Sequence, residues 1–318
     1  MCLSGGWINT FFMKTDLTLK STFDGMELSA VVVEPEQKKP EAVLQIAHGL
    51  CGCKERYAPF MEYMADNGVA CVACDHRGHG NSVHSKQDLG YMDGGYKALV
   101  EDMKLVTDWA ATHFRDLPIV LLGHSMGSMA ARIYAKKYDW ELSGLILCGS
   151  PGYNVMAPVS MILTGFLCLF NDGHLKPVFL QDYASSRFNR KFASEGGLAW
   201  VCSDSGVRND MKTNPLTNYH ITANMMHNLL LMMVQTYSRR GWYVRNPELP
   251  VTFLSGEDDA TMLSEKKLHD AAKMMARVGY NNVSAAIFSE MRHEILNEVD
   301  KEVVWNDILN FIRDISSK

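Results

Sequence analysis

The apolar and polar positions of the chain change period repeatedly. Residues 17–21 and 26–34 have strand-like alternation on either side of Asp24-Gly25, which predicts an antiparallel hairpin at the start of the fold. Residues 42–47 form an apolar run that ends in His48-Gly49-Leu50-Cys51-Gly52. Residues 57–66 then show helical spacing closed by Asn67-Gly68, and residues 69–73 form another short apolar run. Over residues 95–113, Leu99, Met103, Val106 and Ala110 share one helical face. Further strands are expected at 119–124, 142–148, 250–254 and 283–288, and further helices after residue 126, over 265–278 and over 301–315. Strand alternating with helix predicts an α/β fold with a mostly parallel, doubly wound sheet. In such sheets sites form beyond the carboxyl ends of the strands.

The alternation stops after Ser150-Pro-Gly152, and no convincing strand follows until residue 250. This divides the chain into a core, 15–151 and 248–318, and an inserted, mainly helical cap at 152–247. Residues 1–14 read as a disordered leader, with Met1 and Met13 both available as starts. Within the insertion, residues 155–170 are almost wholly apolar and residues 225–234 form another dense apolar run with few polar residues, yet both are too short to span a bilayer comfortably. Helices apolar on most sides need two apolar neighbours, such as the core below and an acyl chain or membrane surface above. Plain packing of cap on core would explain any single Met; collectively, flexible thioethers suit a pocket for a variable apolar ligand. Met225, Met226 and Leu229 are the expected contacts.

Composition narrows the function. A net charge of −5 leaves no broad cationic surface, which argues against nucleic acid as a partner. The eight cysteines are scattered, and Cys71 and Cys74 fall within one predicted strand, where side chains alternate faces. They read as reduced core thiols. Cys51-x-Cys53 and Cys71-x-x-Cys74 are poorly spaced for zinc, so no metal is expected. The first residues hold no basic segment leading into an apolar stretch and cleavage site, so a cytoplasmic location is expected.

Candidate chemistry begins at Gly123-His-Ser-Met-Gly127, where the strand from residue 119 turns directly into a helix. Such a turn forces Ser125 toward positive φ, and Gly123 and Gly127 leave room for it. An ordinary Gly-rich turn would carry the same letters, so context decides. Downstream, Ser255-Gly-Glu-Asp-Asp259 and Met291-Arg-His-Glu-Ile-Leu-Asn-Glu298 each follow a strand. The chain order serine, acid, histidine is that of a nucleophile, an orienting carboxylate and a general base. Of Glu257, Asp258 and Asp259 the last is taken as the acid, with the other two facing solvent or capping a turn. The loop Asp75-His-Arg-Gly-His-Gly-Asn-Ser82 reads as a structural turn whose histidines pack.

The chain resembles the α/β-hydrolase fold, and within it the monoacylglycerol lipase and bacterial lysophospholipase group of serine hydrolases, from about residue 17 to its end. The matching pieces are His48-Gly49, Arg56-Tyr57, Asp75-x-x-Gly-His-Gly-x-Ser82, Gly123-His-Ser-Met-Gly127, Gly256-x-x-Asp259 and Arg292-His-Glu-Ile-Leu-Asn-Glu298. The resemblance implies a triad of Ser125, Asp259 and His293, an oxyanion hole from the backbone N–H groups of Leu50 and Met126, Arg56 near the polar head of the site, and no cofactor. It departs at Gly52-Cys53, where relatives usually carry Glu-His, so the resemblance implies less about glycerol recognition there.

The expectation is therefore a serine carboxylic ester hydrolase acting on lipid-like monoesters such as monoacylglycerol or lysophospholipid. A transient contact of the cap with a membrane surface is a further partner that this reading allows. The alternatives are a small-ester or amide hydrolase on the same scaffold, and a binding protein that uses the pocket without turnover. Dehalogenase and epoxide-hydrolase chemistry is disfavoured because those relatives carry Asp at the position of Ser125.

Overall fold

A computed structural model describes residues 12–317. Its sheet has eight strands in the order β1-β2-β4-β3-β5-β6-β7-β8. These are β1 (Phe12–Lys20), β2 (Glu27–Pro35), β3 (Ala42–Ala47), β4 (Val69–Cys74), β5 (Ile119–His124), β6 (Gly144–Cys148), β7 (Val251–Gly256) and β8 (Val283–Phe288). The pairs β1·β2 and β2·β4 are antiparallel and all others parallel. This is the α/β, mostly parallel sheet that the alternation predicts.

Helices cover both faces. On one side α2 (Gly95–His113), α3 (Met126–Tyr138) and α8 (Glu265–Val278) share a core with Val43, Leu121, Leu145 and Phe253; on the other, α1 (Ala58–Asp66) and α9 (Lys301–Ser316) pack on Leu44, Val120, Leu122 and Ile146. Each central strand feeds both cores because successive side chains point to opposite faces. Cys71 and Cys74 illustrate the rule, since they lie in different cores. The buried thiols are free, and burial pushes Cys51 and Cys53 up to about 12.

The leader expected over 1–14 needs correction at its end. Residues 12–14 belong to β1, where Phe12, Met13 and Lys14 pair with Pro35, Glu34 and Val33; residues 1–11 lie outside the described residues. This edge strand is held by backbone hydrogen bonds, and Met13, Lys14, Thr15 and Asp16 are all exposed. Without a buried face its first half shows no alternation to read.

Between β6 and β7 the chain forms helices but no strand among the described residues. They are α4 (Ala157–Leu167), α5 (Val178–Phe188), α6 (Ser205–Thr213) and α7 (Ala223–Tyr237), with short 3₁₀ turns between them. α7 is the one that joins the main core, through Met225 and Met232. None of the described helices is long and apolar enough to cross a membrane.

The order β4-β3-β5 makes β3 the point from which the chain winds in both directions. Ala47 and Gly123 are paired across it, so the loops leaving β3 and β5 emerge side by side.

Candidate active site

Ser125 is the single residue between β5 and α3, with φ 54° and ψ −117°. Such a conformation costs on the order of 1–3 kcal/mol and persists only where its surroundings dictate it. The surroundings are tight. A Cβ on Gly123 would lie 2.4 Å from the Gly127 carbonyl oxygen, and one on Gly127 would lie 2.1 Å from that of Ala47. Only glycines let the first turn of α3 rest on the ends of β3 and β5. Ser125 N–H donates to Cys148 O at 3.0 Å, which ties the turn to β6.

His293 and Asp259 reach Ser125 from the loops after β8 and β7. His293 Nε2 is 2.9 Å from Ser125 Oγ, and its Nδ1 is 3.0 Å from each Asp259 carboxylate oxygen. Thr261 holds Asp259 from the other side, donating to Oδ1 from its backbone N–H and its hydroxyl, both at 2.8 Å. Burial works to raise the Asp259 pKa, but the facing His293 and these hydrogen bonds outweigh it and hold the carboxyl below its ordinary range. For His293, burial pulls the pKa down, and the Asp259 charge and hydrogen bond outweigh that and raise it above the usual 6.5. Of the neighbouring acids, Glu257 is exposed and Asp258 pairs with Lys191, so only Asp259 faces the imidazole.

Leu50 and Met126 flank the serine. Met126 opens α3, so its N–H has no helical carbonyl to reach. Leu50 follows Gly49, whose added Cβ would lie 3.0 Å from Ser125 Cβ. The loop is braced from behind. His48 donates from Nδ1 to Gly49 O at 2.8 Å and accepts the His76 N–H on Nε2 at 2.9 Å, two bonds that fix its tautomer. Asp75, fully buried, accepts from Lys54 N–H at 2.7 Å and Lys54 Nζ at 2.9 Å. His76 and His79 pack against His48, tilted and edge-on, with ring centroids 4.2 and 5.1 Å away, and do not line the cavity.

Above Ser125 lies a cavity of about 1030 Å³, at the upper end of small-molecule sites, which run to roughly 1,000 Å³. Leu50, Ser125, Met126 and His293 form its floor, and Met226, Leu229, Leu230 and Met233 one wall. Met225 requires correction as a substrate contact, because it is fully buried in the core and faces away from the cavity. Neighbours on a helix differ by about 100° in direction. The buried stripe Met225, Asn228, Met232 and Thr236 turns inward and leaves Met226 and Leu229 on the cavity side.

Arg56 lines the cavity, but both its terminal nitrogens are taken by the Glu294 carboxylate at 2.6 Å. Glu294 escaped notice in the sequence, as did Thr261 and Trp200, whose ring centroid lies 5.3 Å from that of His293. For Thr261 a signal exists: a hydroxyl two residues after an Asp is a common local capping arrangement. Trp200 carries none, being separated from His293 by most of the chain's last third.

The doubly wound sheet, with a strained serine turn and a histidine and acid in later loops, defines a hydrolase of the α/β-hydrolase fold. Known proteins agree. Residues 38–300 match the family described as serine aminopeptidase, S33 (Hydrolase_4), and the chain belongs to that family. A monoacylglycerol lipase of Mycolicibacterium smegmatis is 24% identical over 274 residues, covering 86% of this chain and 88% of its own. Among solved structures, a thermostable carboxyl esterase from Bacillus coagulans in complex with glycerol superposes with TM-score 0.86 at 25% identity, covering 95% of this chain and 99% of its own. A soluble variant of monoglyceride lipase from Saccharomyces cerevisiae, in complex with a substrate analogue, gives 0.72 at 17% identity, over 92% and 94%.

Proposed function

We propose that the protein is a serine carboxylic ester hydrolase that cleaves lipid-like monoesters. Ser125 attacks the ester carbonyl while His293 takes its proton, and Asp259 orients and stabilises the imidazolium. The backbone N–H groups of Leu50 and Met126 receive the oxyanion, each contributing about 3 kcal/mol to lowering the barrier. His293 then protonates the leaving alcohol, and water, deprotonated by the same imidazole, releases the acid and restores Ser125. The observation that carries this reading is the relay of 3.0 and 2.9 Å from Asp259 through His293 to Ser125, opening into a cavity walled by Met and Leu.

The cavity also bears on the head group. Arg56 lines the cavity, and Glu294 neutralises it. This favours an uncharged leaving alcohol, a glycerol-like head, over a phosphate-bearing one. The monoacylglycerol lipase relative supports the same choice by its name.

A membrane surface is the proposed source of substrate. On α4, Ile162 is 72% exposed, and Val159 and Phe166, at helical spacing from it, are exposed too; on α5, Phe179 is 73% exposed, as is Tyr183 one turn on. Apolar groups on this scale are uncommon on a face that meets only water.

The deciding experiment is kcat/KM for acyl esters from about two to sixteen carbons, with Ser125→Ala as control. Burial of each methylene contributes on the order of 0.8 kcal/mol, close to fourfold. A steady rise toward long chains supports the lipid reading. A maximum at short chains favours a small-ester hydrolase, and no Ser125-dependent turnover favours a ligand-binding protein.

A further inference from the structure

Residues 195–203 belong to the long interval between β6 and β7, yet they are bound to the loop that carries His293. On one side of His293, Arg292 donates from Nη1 to Ala199 O at 2.6 Å. Its terminal nitrogens meet the Glu195 carboxylate at 2.8 and 3.1 Å, and its guanidinium lies 3.7 Å from the centre of the Phe192 ring. On the other side, Glu294 N–H donates to Val201 O at 2.8 Å. Glu298 closes the arrangement. Its carboxylate accepts from Arg292 N–H at 2.9 Å, from Ser203 N–H at 3.0 Å and from the Ser203 hydroxyl. Between these anchors Trp200 places its ring against the His293 imidazole.

Both chain neighbours of His293 are therefore hydrogen-bonded to one short segment, and the imidazole itself touches an indole from that segment. Arg292 and Glu298 are buried, 8% and 1% exposed, and neither lines the cavity. Burying a guanidinium and a carboxylate is costly unless each is fully partnered, and here residues 195–203 supply most of the partners. A role in substrate contact does not account for them.

We propose that residues 195–203 are a positioning strap for His293, with Arg292 and Glu298 as its fasteners and Trp200 as its contact on the imidazole. The inference rests on His293 being the general base. The inserted interval then does more than enclose an acyl chain, because it completes the seat of the base. Misplacing a reacting group by about 1 Å can cost on the order of 10²-fold in rate. Since the strap acts on the base, its loss is felt by esters too short to fill the cavity.

The test compares full-length wild type with Trp200→Ala, Trp200→Phe and Glu195→Ala on p-nitrophenyl acetate. Glu195→Ala leaves the buried Arg292 without its counter-charge, so Glu195→Gln, which keeps an acceptor for that guanidinium, is measured beside it and folds even if the alanine variants do not. The expected result is a kcat about 10- to 100-fold lower for Trp200→Ala and Glu195→Ala, with KM within about threefold and the acid limb of the pH profile displaced. Trp200→Phe, which keeps an aromatic face, recovers most of the rate. A loss confined to long-chain esters would overturn the proposal, as would a loss of kcat that follows melting temperature and leaves the pH profile unmoved. Labelling by a fluorophosphonate separates the two levels of the argument. If wild-type Ser125 does not label, the hydrolase mechanism fails; if wild type labels and both strap variants label equally fast, the strap alone fails.

Discussion

Arg56 and Glu294 meet through two parallel hydrogen bonds of 2.6 Å, with side chains only 9% and 8% exposed, on the wall of the cavity that holds Ser125. Burial works to raise the Glu294 pKa, but the Arg56 charge and hydrogen bonds prevail and bring it down to about 2. Glu294→Gln leaves a buried cation without its counter-charge, which costs roughly 3–5 kcal/mol of stability. It also frees a guanidinium to bind anions. The expected outcome is a lower melting temperature together with a higher kcat/KM for lysophosphatidyl esters relative to monoacylglycerol, measured side by side.

Asp259→Asn removes the carboxylate that orients His293 and favours its charged form. With the raised pKa of His293 lost, the acid limb of the kcat/KM profile moves to lower pH, and kcat falls by on the order of 10⁴ because the imidazole adopts the wrong tautomer. Steady-state rates between about pH 5 and 9 read both effects.

Stability has its own pH dependence. Burial, first among the causes, holds His48 and His124 near 4 and His79 near 3, so all three are neutral in the fold. Their folded pKa lies below the unfolded value of about 6.5, so their contribution is present above that value and is lost as pH falls toward 4 and below. Each histidine removes up to about 3 kcal/mol over that window. Glu294 acts in the same direction at lower pH, between its unfolded value near 4.5 and about 2. His293 has the opposite sign: its raised pKa stabilises below 6.5 and ceases to as pH climbs through the folded value. Urea unfolding midpoints should therefore drop steeply from about pH 6.5 to 4.

Gly127→Ala places a methyl 2.1 Å from the Ala47 carbonyl oxygen, backbone that has no rotamer to yield. The first turn of α3 must move off β3, with a loss of about 3 kcal/mol or more and no fluorophosphonate labelling of Ser125. Gly197→Ala, where a Cβ would meet nothing within 4 Å, is the matched control and should unfold at the wild-type urea concentration.

If α4 and α5 meet a lipid surface, Ile162→Ser with Phe179→Ser weakens co-sedimentation with neutral phosphatidylcholine vesicles severalfold while leaving turnover of p-nitrophenyl acetate intact. Both side chains are about three-quarters exposed, so their loss has little to disturb in the fold.

Much of this protein is written locally in its chain. Strand and helix periods, the glycines on either side of Ser125, and the order of serine, acid and histidine depend on residues close in sequence, and steric exclusion or side-chain alternation translates them directly into a sheet with loops at one edge. Where neighbours in sequence cease to decide, reading stops. α7 is apolar nearly all round, so its pattern has no phase, and only its packing against α2, α3 and α4 determined that Met225 turns inward while Met226 and Leu229 face the cavity. β1 has no buried face in its first half, so only backbone pairing with β2 revealed that half. The partnership of Arg56 with Glu294, and of Arg292 and Glu298 with residues 195–203, joins segments separated by some 90 to 240 positions. Charge complementarity and burial between such segments exist only once the sheet has brought the loops together, and that is why the chain's order points to the proposed reacting groups while the tertiary structure decided what surrounds them.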